Sequence, residues 1–173
     1  MAHQFPVSKH VAKMKGSSTL IAAAAAADMR SKGIDVIDLS VGEPDFDTPE
    51  FIKRYAWEGL EKGLTKYTAT AGTADFRNSL LEFYARQFAA DIKVGEVAAS
   101  CGGKQALFNA ACSLLNPGDD VLIPKPYWVT FPEIITFCRA NSVFIGTEDT
   151  DFILTADQVA AAMTDKTKLL IIN

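Results

Sequence analysis

Three stretches in the first half of the chain carry apolar residues at helical spacing. Residues 17–32 are mostly Ala, Leu, Ile and Met, with Ser and Thr at their start and a glycine after their end, which is typical of a capped helix. A second helix is expected from a cap at Thr48 to about Lys62. Thr73 caps a third predicted helix, whose apolar face combines Phe76, Leu80, Leu81, Phe83, Tyr84 and Phe88.

Short apolar runs also occur, one between the first two predicted helices and the others in the second half of the chain, where they alternate with further helical stretches. Strands are expected at 36–40, 94–101, 121–124, 143–146 and 169–172, and helices at 103–115, 130–140 and 155–163. This alternation indicates an α/β fold with a mostly parallel sheet and flanking helices. The fully apolar run Leu169–Ile172 predicts a strand in the middle of that sheet, covered on both faces.

Composition narrows the classes of function. The 173 residues carry a net charge of −4, which argues against a nucleic-acid partner because such a surface needs clustered positive charge. The longest apolar run, Leu20–Ala27, is far shorter than the roughly 20 residues that cross a membrane. The first ten residues lack the apolar core of an export signal, so we expect a cytoplasmic protein.

Cysteine and histidine usage argues against metal and disulfide sites. Cys101, Cys112 and Cys138 form no close pair in the sequence, which favours small buried hydrophobic residues in a reducing compartment over a disulfide framework. The two histidines lie near the N-terminus. No metal site is therefore expected.

A glycine pair stands where a predicted strand gives way to a helix, in Cys101-Gly102-Gly103-Lys104-Gln105-Ala106. Glycines at such a junction let backbone N–H groups approach an anion, and the helix dipole favours a phosphate there. The segment matches neither the P-loop nor the dinucleotide-binding glycine pattern. The alternative is a tight turn that needs glycine only for its geometry.

Other candidate residues have equally plain structural interpretations. Tyr127 and Trp128 follow a predicted strand, at the sheet edge where ligands of α/β proteins bind, yet a Trp that fills core space is somewhat more common. Lys66 and Tyr67 could hold phosphate oxygens or simply occupy an exposed loop. Gly42 marks either a ligand contact with bare backbone or a turn.

Lys15 and Arg77 are isolated cations, and a solvated or salt-bridged side chain is the ordinary expectation for each.

The order of these motifs closely resembles that of the class I aminotransferases, with the bacterial aspartate aminotransferases, some of which also accept prephenate, as the nearest subgroup. The resemblance runs from about Met14 to the last residue. The segments that carry it are Asp38–Pro49, Lys66-Tyr67-Thr68 with Gly72 and Arg77, Gly102–Asn109, Asn116–Asp119 and Pro126–Val129.

The resemblance implies a fold-type-I enzyme that uses pyridoxal 5'-phosphate (PLP) and forms a homodimer with its active site at the subunit interface. Residues 1–48 would form the N-terminal arm and a small-domain segment, and residues 49–173 an incomplete PLP-binding large domain. The implied substrates are an L-amino acid, aspartate above all, and a 2-oxo acid.

The resemblance also assigns roles to individual residues. Gly103, Lys104 and Gln105 would bind the PLP phosphate, largely through backbone N–H groups, and Trp128 would stack on the pyridine ring and line the substrate site. Tyr67 would reach the phosphate of the partner subunit's cofactor. The substrate contacts would include the backbone of Gly42 and, in prephenate-accepting members, Lys15, although Gly16 replaces the proline usual after that lysine.

The family's reaction needs a Schiff-base lysine, a carboxylate for the pyridinium nitrogen and an arginine for the substrate carboxylate. In the family all three follow the last strand of this sequence, so no catalytic residue is assigned here. We therefore expect a portion of an aminotransferase that is inactive alone. A non-catalytic fragment that binds the PLP phosphate or dimerises, and an unrelated nucleotide-binding domain, are the alternatives.

Overall fold

The computed structural model describes residues 6–173, which divide into two compact units. Of the residues described, the first unit contains residues 6–42 and Phe108–Asn173, and the second consists of Glu43–Leu107. The helices are α1 (Ser18–Ser31), α2 (Glu50–Glu61), α3 (Ala74–Phe88), α4 (Gly103–Leu114), α5 (Thr130–Phe137) and α6 (Ala156–Ala162).

The first unit contains a three-stranded parallel sheet. Its strands are β1 (Asp120–Pro124), β2 (Asn141–Ile145) and β3 (Thr167–Leu170), in the order β2-β1-β3. Asp120 of β1 lies opposite Asn141 of β2 and Thr167 of β3. The predicted α/β fold with a mostly parallel sheet and flanking helices is confirmed.

The core of the first unit lies between β1 and the helices that flank it. Val121 and Ile123 of β1 and Ile135 of α5 are fully buried, and Phe131 is nearly so. Ala111 of α4 joins the same cluster. Because β1 and α5 supply its centre, the core fixes the segment between them, which contains Trp128.

The second unit is built on α2, α3 and the start of α4. The side chain of Thr73 accepts a hydrogen bond from the Phe76 N–H, which confirms its predicted role as a helix cap. Pro49, and not Thr48, is the N-cap residue of α2. The predicted cap at Thr48 is therefore wrong by one residue.

Two predicted strands are absent from the structure. Residues 36–40 are irregular, because the carboxylate of Asp38 binds the backbone N–H and hydroxyl of Ser40 instead of leaving the backbone to pair with a neighbour. Residues 94–101 contain a 3₁₀ turn at Val94–Glu96, in which the Glu96 carboxylate accepts the Lys93 N–H at 2.7 Å.

In this chain the last strand lies at an edge of the sheet. Among the residues described, β3 pairs with β1 on one side only, so β1 is the middle strand. The cysteines differ from expectation as well: Cys101 and Cys112 are exposed and Cys138 is half-buried. An apolar run or a single residue type does not by itself say which neighbours will cover it.

Candidate functional site

The glycine turn before α4 has the local geometry of an anion-binding site. Gly102 has a φ of +81°, which favours glycine, and its N–H donates to the Ser100 carbonyl at 2.8 Å. The first intrahelical bond of α4 runs from the Ala106 N–H to the Gly102 carbonyl at 3.3 Å. The backbone N–H groups of Gly103, Lys104 and Gln105 precede that bond, at the positive end of the helix dipole.

The Gln105 side chain holds this turn in shape. Its Oε1 atom accepts a hydrogen bond from the Cys101 N–H at 2.5 Å, so the side chain reaches back over the turn. A Cβ atom added to Gly102 or Gly103 would meet no other heavy atom within 4 Å. The space beside the helix start is therefore open, and the donors around it suit a phosphate.

The segment that leads into the turn is anchored by Arg77 and Gly72. The Arg77 Nε–H donates to the Val97 carbonyl at 2.9 Å, and a second guanidinium N–H donates to the Val94 carbonyl. The Ala99 N–H donates to the Ala71 carbonyl at 2.9 Å. A Cβ on Gly72, whose φ is +98°, would lie 2.8 Å from the Ala99 Cβ, so this approach requires glycine.

The ordinary expectation of a solvated or salt-bridged Arg77 is therefore wrong, because its guanidinium binds backbone carbonyls. In the sequence, the signal that Arg77 has a structural role was its place in the motif with Gly72. Tyr67 lies in the same unit, in the irregular segment before α3, and its side chain is fully exposed.

The first unit carries the aromatic candidate. Trp128 lies between β1 and α5, and its ring packs edge-to-face on the buried Phe131 with centroids 5.6 Å apart. The indole remains 37% exposed. Next to it, Tyr127 stacks on Phe144 with centroids 4.9 Å apart. A planar ring that is held in place and partly exposed can stack on a ligand ring.

Gly42 and Lys15 lie in exposed segments of the first unit. A Cβ on Gly42 would have no heavy atom within 4 Å, so bare backbone is accessible there. The backbone N–H of Lys15 donates to the Glu133 carboxylate of α5 at 2.9 Å. Glu133 was not singled out from the sequence, because a contact across 118 residues leaves no local signal.

The two units thus hold different candidates. Gly103, Lys104, Gln105 and Tyr67 lie in the second unit, whereas Lys15, Gly42 and Trp128 lie in the first. Within residues 6–173, no helix combines the length and hydrophobicity needed to span a membrane. The same residues contain no cluster of three or more His, Cys, Asp or Glu side chains arranged to bind a metal.

Comparison with known proteins decides the family. Residues 34–173 match the family model described as "Aminotransferase class I and II". The chain belongs to the class I and II aminotransferases. An aspartate/prephenate aminotransferase of Nitrosomonas europaea is 39% identical over 168 residues, which make up 96% of this chain and 42% of that protein. The aspartate aminotransferase of Rhizobium meliloti is 37% identical over 170 residues.

Solved aminotransferase structures share the fold. The aspartate aminotransferase of Thermus thermophilus with maleate has a TM-score of 0.92 and 38% identity, covering 98% of this chain and 44% of that one. The Rhizobium meliloti aspartate aminotransferase has a TM-score of 0.91. The chain thus spans about two fifths of the length of these aminotransferases.

The family implies PLP, and the residues of the turn fit its phosphate. The open space beside Gly102 and Gly103 and the three N–H groups that precede the first bond of α4 provide room and donors for an anion. The half-exposed indole of Trp128 offers a flat surface of the kind that a pyridine ring needs.

Proposed function

We propose that these residues provide the phosphate-binding turn and the ring-stacking residue of a PLP-dependent aminotransferase. The reaction transfers an amino group between an L-amino acid, with aspartate as a donor, and a 2-oxo acid. The shape of the Cys101–Gln105 turn carries the proposal, because the Gln105 to Cys101 bond of 2.5 Å fixes a glycine-rich helix start whose backbone N–H groups lie at the positive end of the helix dipole. Its relatives among the aspartate aminotransferases support the substrate class.

Each proposed binding residue contributes by position. The N–H groups of Gly103, Lys104 and Gln105 bind the phosphate. The Trp128 indole, which packs edge-to-face on Phe131, stacks on the pyridine ring and orients it. Tyr67 is fully exposed, which suits a hydroxyl that binds a phosphate held by the partner subunit. Bound PLP supplies the aldehyde that accepts the amino group and the ring that withdraws electrons.

Substrate contacts come from the first unit in this proposal. The exposed backbone at Gly42 lines the pocket for the substrate carboxylate, and Lys15 contacts the substrate through its side chain while its N–H is fixed by Glu133. We further propose a homodimer with an interface active site, a cytoplasmic location, and the division into residues 1–48 and 49–173. No Schiff-base lysine is assigned among these residues.

Phosphate recognition can be tested without the aldehyde. Equilibrium dialysis of the 173-residue chain with pyridoxine 5'-phosphate, which lacks an aldehyde, should detect binding that pyridoxine without phosphate does not show. The variant Gly103→Glu places a carboxylate beside the proposed phosphate and should weaken binding on the order of tenfold or more through charge repulsion.

Gly95→Glu is the matched control, because a Cβ at Gly95 also meets open space and the added charge is the same. Equal affinity of the two variants, or equal binding with and without the phosphate, would contradict the proposal. The chain should not transaminate alone. Borohydride reduction with PLP that labelled one lysine of this chain stoichiometrically would place the Schiff-base lysine here and overturn that expectation.

A further inference from the structure

Two cysteines of the first unit lie side by side although 26 residues separate them. Cys112 is in α4 and Cys138 is the C-cap residue of α5, and their Sγ atoms are 3.7 Å apart. A disulfide needs about 2.05 Å between the sulfurs, so the two atoms must approach each other by less than 2 Å. We propose that Cys112 and Cys138 form a reversible intramolecular disulfide by exchange with a low-molecular-weight disulfide of the glutathione type.

The backbone around both cysteines keeps the sulfurs together. The Cys138 N–H donates to the Ile134 carbonyl at 3.1 Å, and Cys138 packs on the buried core cluster. Ala111, directly before Cys112, belongs to the same cluster. Both thiols are thus attached to the same rigid core, which raises the effective concentration of each toward the other.

Their different exposure sets the order of the exchange. Cys112 is exposed and meets the small disulfide first. Its thiolate attacks one sulfur, the S–S bond of the small molecule breaks, and the expelled thiolate takes up the proton that Cys112 lost.

Cys138 then attacks the Cys112 sulfur of the mixed disulfide and expels the second small thiolate, which takes up the proton from Cys138. Two cysteine sulfurs are oxidised and both sulfurs of the small disulfide are reduced. Because Cys138 of the same chain displaces the small thiol, the mixed disulfide at Cys112 is short-lived.

The half-buried Cys138 reacts slowly with external reagents. Burial and the hydrogen bond with Cys112 raise the pKa of the Cys138 thiol to about 11. The fraction of reactive thiolate then increases about tenfold for each pH unit between pH 7 and pH 9. The ring-closing step should accelerate with pH by the same factor wherever it limits the rate.

The test uses the folded 173-residue chain, reduced and then exposed to oxidised glutathione. The number of free thiols should fall from three toward zero with about one bound glutathione per chain, and peptide mapping should find Cys112 linked to Cys138. Cys101 is the internal control, since it is exposed and has no second cysteine beside it; it should carry only glutathione. Reduction with dithiothreitol should restore all three thiols.

Single substitutions separate the two steps. Cys138→Ser should trap a stable glutathione adduct on Cys112, whereas Cys101→Ser should leave the cross-link intact. A stable adduct on Cys112 beside a free Cys138 in the unsubstituted chain would overturn the proposal. So would a cross-link that forms in denaturant but not in the folded chain. The reaction needs no PLP, so its outcome is independent of the proposed aminotransferase function.

Discussion

Asp120 connects the starts of all three strands through one buried carboxylate. Its Oδ1 accepts from the Asn141 Nδ2–H at 3.0 Å, and its Oδ2 accepts from the Thr164 hydroxyl at 2.7 Å. Its backbone N–H donates to the Lys166 carbonyl at 2.9 Å. The hydrogen bonds from Thr164 and Asn141 favour the ionised form, so they hold the pKa of Asp120 below its ordinary value.

The lowered pKa of Asp120 predicts that the folded chain loses stability in acid. Because the folded chain binds the proton more weakly than the unfolded chain, the carboxylate stabilises the fold at neutral pH. That contribution is lost as the pH falls below about 4 toward the folded-state pKa. Asp120→Asn should lower the free energy of unfolding at pH 7 and flatten its decrease between pH 5 and pH 3, measured by urea denaturation.

The exposed Asp47 provides the control. Asp47→Asn should leave both the neutral stability and the acid dependence close to those of the unsubstituted chain. An acid profile of Asp120→Asn that runs parallel to the original would mean that this carboxylate does not carry the effect.

Helices were predictable from the sequence because their end signals are local. Ser17, Thr73 and Thr155 each cap a helix in the structure, and each side chain accepts the N–H three residues later. The glycine turn before α4 was predictable for the same reason. The capping residue and the first turn of a helix lie within a few residues of each other, so a short segment of the sequence determines where the helix begins.

Strands and supporting contacts were less predictable because they depend on distant residues. Residues 36–40 alternate as a strand does, yet Ile37 and Leu39 are largely exposed and no strand pairs with them in the described structure. The apolar run at 169–172 predicts a strand in the middle of a sheet, and in the described residues it pairs with β1 on one side. The Lys15–Glu133 contact likewise joins distant segments.

In the second unit, the side chain of Arg77 makes a contact of this kind, with backbone carbonyls about 20 residues further along the chain. Arg77→Ala removes the donors for the Val94 and Val97 carbonyls. The expected result is faster hydrogen exchange in residues 94–99 and a loss of about 1–3 kcal/mol in the free energy of unfolding. Hydrogen exchange followed by mass spectrometry locates the change.

Arg86→Ala is the matched control, because Arg86 lies in the last turn of the same helix. It should leave exchange in residues 94–99 unchanged. Arg77→Lys should protect this segment only partly, since an ammonium group cannot reproduce the fork of a guanidinium. Equal exchange in the Arg77→Ala and Arg86→Ala variants would show that Arg77 does not anchor the segment.

At the scale of the whole molecule, both units expose large apolar side chains. On α2 they include Phe51, Ile52, Tyr55, Trp57 and Leu60, each about half-exposed or more. Apolar surface on this scale is typical of protein interfaces.

We therefore expect the 173-residue chain to self-associate, with a second copy covering apolar surface that includes α2. Sedimentation equilibrium should show a weight-average mass that rises with concentration. Apolar burial, unlike ion pairing, is not weakened by salt, so the association should persist in 0.5 M sodium chloride, roughly a threefold rise over physiological ionic strength. Phe51→Glu should weaken it on the order of tenfold.

Asn78→Glu adds the same charge at an exposed polar position of α3 and should have little effect. A mass that stays monomeric at every concentration, together with a cooperative thermal transition, would show that the chain tolerates this surface without a partner. It would also remove the physical support for the proposed homodimer, while leaving phosphate binding at the α4 turn to be judged by its own experiment. Loss of association in Phe51→Glu alone would assign α2 to the interface.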